Sequence, residues 1–351
     1  MIKLRNLDSS LKQWIVSQTG IGPIGELFYL AKDGGNPRKG LLGYREDGGQ
    51  ALVDGGHMFA TGPYLPYTAS TTYGNDVTVV MPDSHVWTGD AGVAGTVLTW
   101  SKYCTHMIGM APFSKGGGPR SRFGHSGYTM ANFFTMSGWN NLFQNLYWMH
   151  GSATGAAADL CCGTITGAYN VFNNCHFGGP NDATQGATAG YRTLYLTGSQ
   201  NYFKDCLVGS QNAIARNAAN SLLDIATGGN NVFEDCLFTS RSNGNTAAKF
   251  INISALGAAS GGYRAMFLNT QFLHSGPASG SNLAVAITTV GLESSYEYLY
   301  FDNRCSFAGC TLVIVDTKEG IIRWGGSGAN ADVTAIGDDK NLGLAQSPQS
   351  T

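Results

Sequence analysis

The chain has 351 residues, 49 of them glycine, with 13% charged side chains and a formal net charge of −2. Near-neutrality without a basic stripe argues against a nucleic-acid-binding surface, and glycine without a three-residue period argues against a collagen-like rod. No apolar run reaches membrane-spanning length, and Met1 to Leu7 has neither a long apolar core nor a cleavage site, so neither a span nor a secretion signal is expected.

Residues 1 to about 70 stand apart. Lys3, Arg5, Lys12, Lys32, Arg38, Lys39 and Arg45 put seven of the 21 basic residues into this fifth of the chain. Residues 7–16 predict one short helix, with Asp8 or Ser9 as cap and Leu11, Trp14 and Ile15 on one side. Gly/Pro-punctuated chain follows, as in Gly20-Ile21-Gly22-Pro23 and Gly62-Pro63-Tyr64-Leu65-Pro66. The segment has too little periodic apolar character for its own core. It reads as an extended N-terminal arm that docks on another subunit, with folding back along its own chain as the alternative.

Coils begin at Asp76-Val77-Thr78-Val79-Val80-Met81-Pro82 and continue through residues 95–112. From Gly138 the pattern becomes explicit. Gly138, Gly167, Gly198 and Gly228 recur at intervals of 29, 31 and 30 residues, each opening the template G-x-x-N-x-F-x-[ND]-[CL]-x-[FVW]. Short β-type runs such as Asn132–Met136 and Leu194–Thr197 precede most of these glycines. Within the template the Phe and the apolar residue five positions on cannot share a face of one straight strand, because side chains alternate. A sharp bend at the intervening Asn or Asp removes the conflict, and both types tolerate the left-handed conformation such a corner needs.

Short strands, corners and a period near 30 describe a stacked-repeat architecture, in which each unit buries its apolar face against its neighbours. The fold class is therefore all-β, a parallel β-helix of about eight or nine coils, on the order of 40 Å long at the usual strand spacing. Its columns are Phe143/Phe172/Phe203/Phe233, Asn145/Asn174/Asp205/Asp235 and Leu146/Cys175/Cys206/Cys236. Weaker copies follow at Phe267–Phe272 and, with one residue inserted, at Phe301–Phe307. Three of the eight cysteines fall in an inward column, so they read as buried thiols filling the coil rather than as a disulfide framework, in keeping with a reducing cytoplasm. Beyond about Ile322 the pattern fades. The organisation is thus an arm at 1–70, a β-helix at 71–322 and a cap or tail at 323–351.

The strand-then-proline opening at 77–82, the coil carrying Leu98-Thr99-Trp100-Ser101-Lys102 and Thr105-His106-Met107-Ile108-Gly109, and the N-x-F-x-[ND]-C-x-F ladder resemble pectin-lyase-like right-handed β-helices over about residues 75–320. More narrowly, they are similar to the short β-helix proteins of tailed-bacteriophage virions. That resemblance implies right-handed coiling and a virion surface protein made in the host cytoplasm. It implies capsid or other virion proteins as partners through the arm, a homo-oligomer, and no nucleic acid or membrane. It leaves two roles open: a structural protein that decorates or cements the capsid, and a tailspike or receptor-binding protein that binds or cleaves bacterial surface glycans.

For catalysis the best carboxylate pair is Asp205 and Asp235, on adjacent coils, at a backbone spacing approaching the roughly 5–5.5 Å of a retaining glycosidase. The competing reading is that both continue the corner ladder of Asn145 and Asn174, where a short polar side chain is needed and charge is not. Glu234 beside Lys204 reads as a surface ion pair. A lyase of this fold would need clustered carboxylates and an Arg or Lys base, but Arg192, Arg216, Arg241 and Arg264 are scattered at unrelated register positions and no strand is rich in Asp. Cys161-Cys162 and His176 lack zinc-ligand spacing, His106 and His150 read as loop or coil-surface histidines, and residues 115–120 lack the strand and G-K-[ST] of a phosphate loop. No metal, no cofactor and no catalytic residue is expected. Trp87, Tyr128, Trp139 and Tyr147 are the aromatics expected outside the inward ladder, where a glycan reader would use them.

Overall fold

In the computed structural model each coil is three short strands separated by two tight corners and a longer return. Arg192–Leu196, Tyr202–Lys204 and Leu207–Gly209 form one such coil. The structure describes residues 4–20, 27–30, 76–80, 84–87, 96–101, 103–110, 121–125, 132–150, 161–180, 183–209, 218–242, 247–254, 262–275, 282–289, 297–314, 322–324 and 334–335. Equivalent strands stack into three sheets. The first has eleven strands, from Leu27–Leu30 to Thr334–Ala335; the second and third have eight each. Pairing between successive coils is parallel, and the fold is a right-handed parallel β-helix. Seven coils, from 96–125 to 283–308, carry all three strands among the described residues, against the eight or nine counted from the sequence, because the outermost coils include residues outside those described. At the far end Ile322–Trp324 still adds a parallel strand, and Thr334–Ala335 pairs with it antiparallel.

Register puts like on like. Phe143, Phe172, Phe203, Phe233, Phe267 and Phe301 are successive Cα partners on the inner face of the first sheet or its continuation. Their rings stack at centroid distances of 5.0, 4.8, 4.4, 5.1 and 4.7 Å, with planes within 12° of parallel. A second file on the third sheet, including Trp148, Phe177, Phe238, Phe272 and Phe307, meets the first edge-on, as Phe172 and Phe177 do at 63°. Stacked within a file and edge-to-face between files are the two arrangements the ring quadrupole favours. All these rings are buried, each worth about 1.5–3 kcal/mol of burial.

Both corners are single left-handed residues. At the first-to-third corner they are Asn145, Asn174, Asp205, Asp235 and Asn269, with φ of 57°, 55°, 53°, 55° and 48°. At the second-to-first corner they are Cys104, Asn140, Tyr169, Gln200 and Asn230, with φ between 47° and 58°. Their N–H groups still reach the next coil, as Asp205 N to Glu234 O at 3.0 Å and Gln200 N to Gly229 O at 2.9 Å, so the ladder runs round the bend. The template glycine precedes the second-to-first corner for a steric reason. A Cβ on Gly198 would lie 1.9 Å from the Gly167 carbonyl oxygen, and Gly167 and Gly228 are equally close to the coil before them.

The predicted N-terminal helix is longer than expected: α1 spans Leu4–Thr19 and so takes in Asp8 and Ser9 rather than being capped by them. Ile15 is fully buried with Val77, Val79 and Ile108, and Leu11 packs beside it. These positions lie on the face of the first sheet opposite the one that carries Met107 and Val80 into the core. The described part of the arm therefore lies back on its own coils, the alternative named above, and Leu27–Leu30 adds a strand beside Asp76–Val80. The rest of the arm and most of the tail lie outside the described residues, as do Tyr128, Arg216 and the 115–120 loop.

Candidate functional site

The first-to-third corner carries the candidate carboxylates, and the structure places them in one continuous file. Asn174 Nδ2 donates to Asn145 Oδ1 at 2.8 Å, and Asn269 Nδ2 donates to Asp235 Oδ1 at 2.6 Å. Asp205 sits between, on the same left-handed backbone. Both carboxylates thus occupy positions held by asparagine on the flanking coils, half-buried and aligned along the rod. The next residue inward is the thiol column. Cys175, Cys206 and Cys236 donate to the carbonyls of Phe143, Phe172 and Phe203 at 3.3, 3.3 and 3.4 Å. Each fills space and also donates to a carbonyl of the coil before it. Thr270 takes over this role one coil later, donating to Phe233 O at 3.1 Å, and Cys305 does so toward Phe267 at 3.3 Å. Burial pushes the Cys206 thiol well above its usual range, so it is a thiol and not a thiolate. All eight cysteines are free.

Beside the corner, on the outer face of the first sheet, Lys204 Nζ lies 3.0 Å from Glu234 Oε1 and the Tyr202 hydroxyl donates to Glu234 Oε2. The hydrogen bonds from Tyr202 and Lys204 hold Glu234 below the usual carboxylate range. Burial, with that same bond to Glu234, pushes Tyr202 up to about 12. A general acid needs a carboxyl raised toward neutrality; this one is held ionised. Asp302, on the coil that carries the inserted residue, is likewise low: burial works against its charge, but the Asn269 N–H and the Arg304 side chain outweigh it.

A second polar constellation was not foreseen. On the outer face of the second sheet Arg192 Nε pairs with Asp224 Oδ2 at 2.8 Å, its guanidinium 4.1 Å from the centre of the Tyr195 ring. Asn252 donates to the same oxygen at 3.2 Å and receives a bond from Thr288 at 2.8 Å. Asp224 is 2% exposed, and burial lowers the pKa of nearby Lys249. Arg192 and Asp224 are 32 residues apart and diagonal in the register, so no column of like residues announces them.

The histidines correct the sequence reading. His106 and His150 are buried, 5% and 0% exposed, and not surface groups. His106 Nδ1 accepts the Leu142 N–H at 3.0 Å, which places its proton on Nε2, and burial lowers its pKa to about 4. His150 stacks between Phe133 and Tyr191 and contacts the Tyr191 hydroxyl and Gln185. Its neighbour α2 (Ala183–Ala187) supplies Gln185. His176 stacks on Tyr147 at 4.0 Å and bonds to Gly209 O at 2.7 Å. Tyr147 is therefore buried under its neighbours, and of the exterior aromatics proposed above only Trp139 is exposed among the described side chains. Cys162 is inside the core, as expected of a filler. Among the described residues no three His, Cys, Asp or Glu side chains cluster as metal ligands would, and no helix is long and apolar enough to cross a membrane.

The template also contains a functional ladder that spacing alone displays but that was not singled out, its buried asparagine. Asn141, Asn170, Asn201 and Asn231 are fully enclosed. Asn201 Oδ1 accepts the Asn170 N–H and Nδ2 at 3.1 and 3.0 Å, while its own Nδ2 donates to Gly167 O and Asn231 Oδ1 at 3.0 and 3.1 Å. Every polar atom of that amide is used.

No family model and no curated protein matches the chain. Among solved structures it is similar to a pectin methylesterase mutant in complex with a hexasaccharide (13% identity, 70% of this chain and 74% of that one, TM-score 0.45). It is similar to pectin methylesterase PemA from Erwinia chrysanthemi (12%, 86% and 83%, TM-score 0.42) and to an alginate lyase from Paenibacillus sp. str. FPU-7 (12%, 72% and 85%, TM-score 0.33). The register of the three sheets establishes the fold independently of these likenesses.

Proposed function

We propose that this chain is a rigid, non-catalytic surface module of a tailed-bacteriophage particle, a homo-oligomeric β-helix that decorates or cements the capsid through residues of its N-terminal arm. The virion assignment rests on the sequence resemblance. The non-catalytic reading rests on one observation: Asp205 and Asp235 occupy the amide ladder of the corner, between Asn174 and Asn269, on the left-handed backbone that selects for short polar side chains. The neighbouring carboxylate, Glu234, is tied up by Tyr202 and Lys204. Rigidity comes from the ring files and the buried amide ladder, and the scaffold needs no cofactor.

Two measurements test this. Incubating the protein with purified bacterial envelope, beside an Asp205→Asn/Asp235→Asn variant, should release no glycan in either case; release by the parent that vanishes in the variant contradicts the reading. Imaging the assembled particle should place many copies on the capsid shell. A few copies at the tail would instead assign the chain to receptor binding.

A further inference from the structure

At the second-to-first corner three rings stand out from the rod. Tyr103, Trp139 and Tyr169 are 41%, 47% and 49% exposed, half of the six large hydrophobic side chains exposed among the described residues. They are not scattered. Tyr103 and Trp139 meet edge to face at 5.9 Å, and Trp139 meets Tyr169 at 6.2 Å. The backbone beneath fixes them: Cys104, Asn140 and Tyr169 are successive left-handed residues of adjacent coils, and Cys104 N donates to Trp139 O at 3.0 Å. Tyr103 and Trp139 are thus the same position on neighbouring coils. Rings held this way in water have little freedom left to lose on binding, and an exposed aromatic cluster on an otherwise polar surface marks an interaction site.

The flanking residues state the chemistry of the partner. Past Trp139 and Tyr169 the same two positions become Ala168, Ser199, Gln200, Gly229 and Asn230, all uncharged and none buried. Ser199 Oγ accepts the Gly229 N–H at 3.1 Å. Asn140, Thr166 and Thr227 are exposed along the same edge. Aromatic faces beside neutral amides and hydroxyls complement a pyranose, whose C–H face is apolar and whose rim carries hydroxyls. An acidic polymer would find no counter-charge among the described residues of these two files.

We propose that the Tyr103–Trp139–Tyr169 ridge binds a neutral glycan laid along the rod axis, without cleaving it. Adjacent ring centroids lie 5.9 and 6.2 Å apart, close to one sugar unit each. The ridge is on the opposite side of the first-sheet strands from Asp205 and Asp235, so binding here is independent of any chemistry at that corner and of where the protein sits in a particle.

Affinity electrophoresis of the full chain through gels holding dextran, laminarin or galactomannan, with polygalacturonate as the anionic comparison, tests the proposal. Retardation is expected in at least one neutral gel and not in polygalacturonate. Trp139→Ala should weaken it about five- to tenfold, the worth of one aromatic contact, and Tyr169→Ala by less, with unfolding midpoints unchanged. Trp139→Gln serves if alanine loosens the corner. No retardation in any neutral gel, retention only by polygalacturonate, or retention unchanged in a Trp139→Ala/Tyr169→Ala double variant overturns it. A lowered sedimentation coefficient in the double variant would also overturn it, by making the ridge a contact between copies.

Discussion

The two corners of each coil share a backbone and differ in everything else. At one, a left-handed Asn or Asp faces water, and the file reads Asn145, Asn174, Asp205, Asp235, Asn269. At the other, the left-handed residue is almost free in type, running Asn140, Tyr169, Gln200, Asn230, while the next residue inward is asparagine on four successive coils and fully enclosed. The difference teaches where chemistry is constrained. A buried position bonded to two backbone groups and two neighbouring amides needs both a donor and an acceptor, so only an amide serves. A half-exposed position lets water complete what the neighbour does not, so charge and amide interchange.

Breaking the inner side should therefore cost most. Phe203→Ala, in the middle of the stacked file, removes a ring in contact above and below and is expected to destabilise by about 3–5 kcal/mol; denaturant unfolding measures it. Asn201→Ala strands the Asn170 N–H and the Gly167 carbonyl, a loss of about 3 kcal/mol in the same experiment.

His106 sharpens the contrast through pH. Burial holds it neutral in the folded chain, with a pKa of about 4, whereas in the unfolded chain it titrates near the ordinary histidine value of about 6.5. As pH falls below 6.5 the unfolded chain takes up a proton that the folded chain refuses until about 4. Stability is therefore lost across that window, by about 3 kcal/mol in all. His106→Gln keeps an acceptor for the Leu142 N–H. The difference between the two proteins' stability curves should be flat above pH 6.5 and steep below it.

The thiol column should be milder. Cys206→Thr reproduces what Thr270 already does two coils on and should cost about 1 kcal/mol or less, whereas Cys206→Val loses the bond to the Phe172 carbonyl and should cost about 1 kcal/mol more.

What the sequence displayed and what it hid follow the same division. The phenylalanine file, the Asn/Asp corner and the thiol column were readable because stacking makes each coil's neighbour its own repeat, so one environment selects one residue type thirty positions apart. The opposite corner was not, since a left-handed Tyr169 or Gln200 carries no residue-type signal; the bend is imposed by Gly167 and Gly198 packing against the coil below. The Arg192–Asp224 pair escaped because diagonal partners leave no column. His150 escaped because its cover comes from α2, in a return loop of irregular length. The helix α1 was legible, but its partner was not: an apolar stripe on Leu11 and Ile15 says that something covers it, and only the coordinates show that Val77, Val79 and Ile108 do.

The sharpest test is a mirrored exchange, Asn201→Asp at the enclosed ladder and Asp205→Asn at the exposed corner, four residues away in sequence, each measured by chemical denaturation at neutral pH. Asn201→Asp should destabilise by about 3–5 kcal/mol, since a carboxylate there faces the Gly167 carbonyl and the Asn231 oxygen with no donor of its own, while Asp205→Asn should stay within about 0.5 kcal/mol of the parent. Equal costs at the two sites, or a large one at Asp205, would contradict the claim that the corner carboxylates are interchangeable rungs of a scaffold.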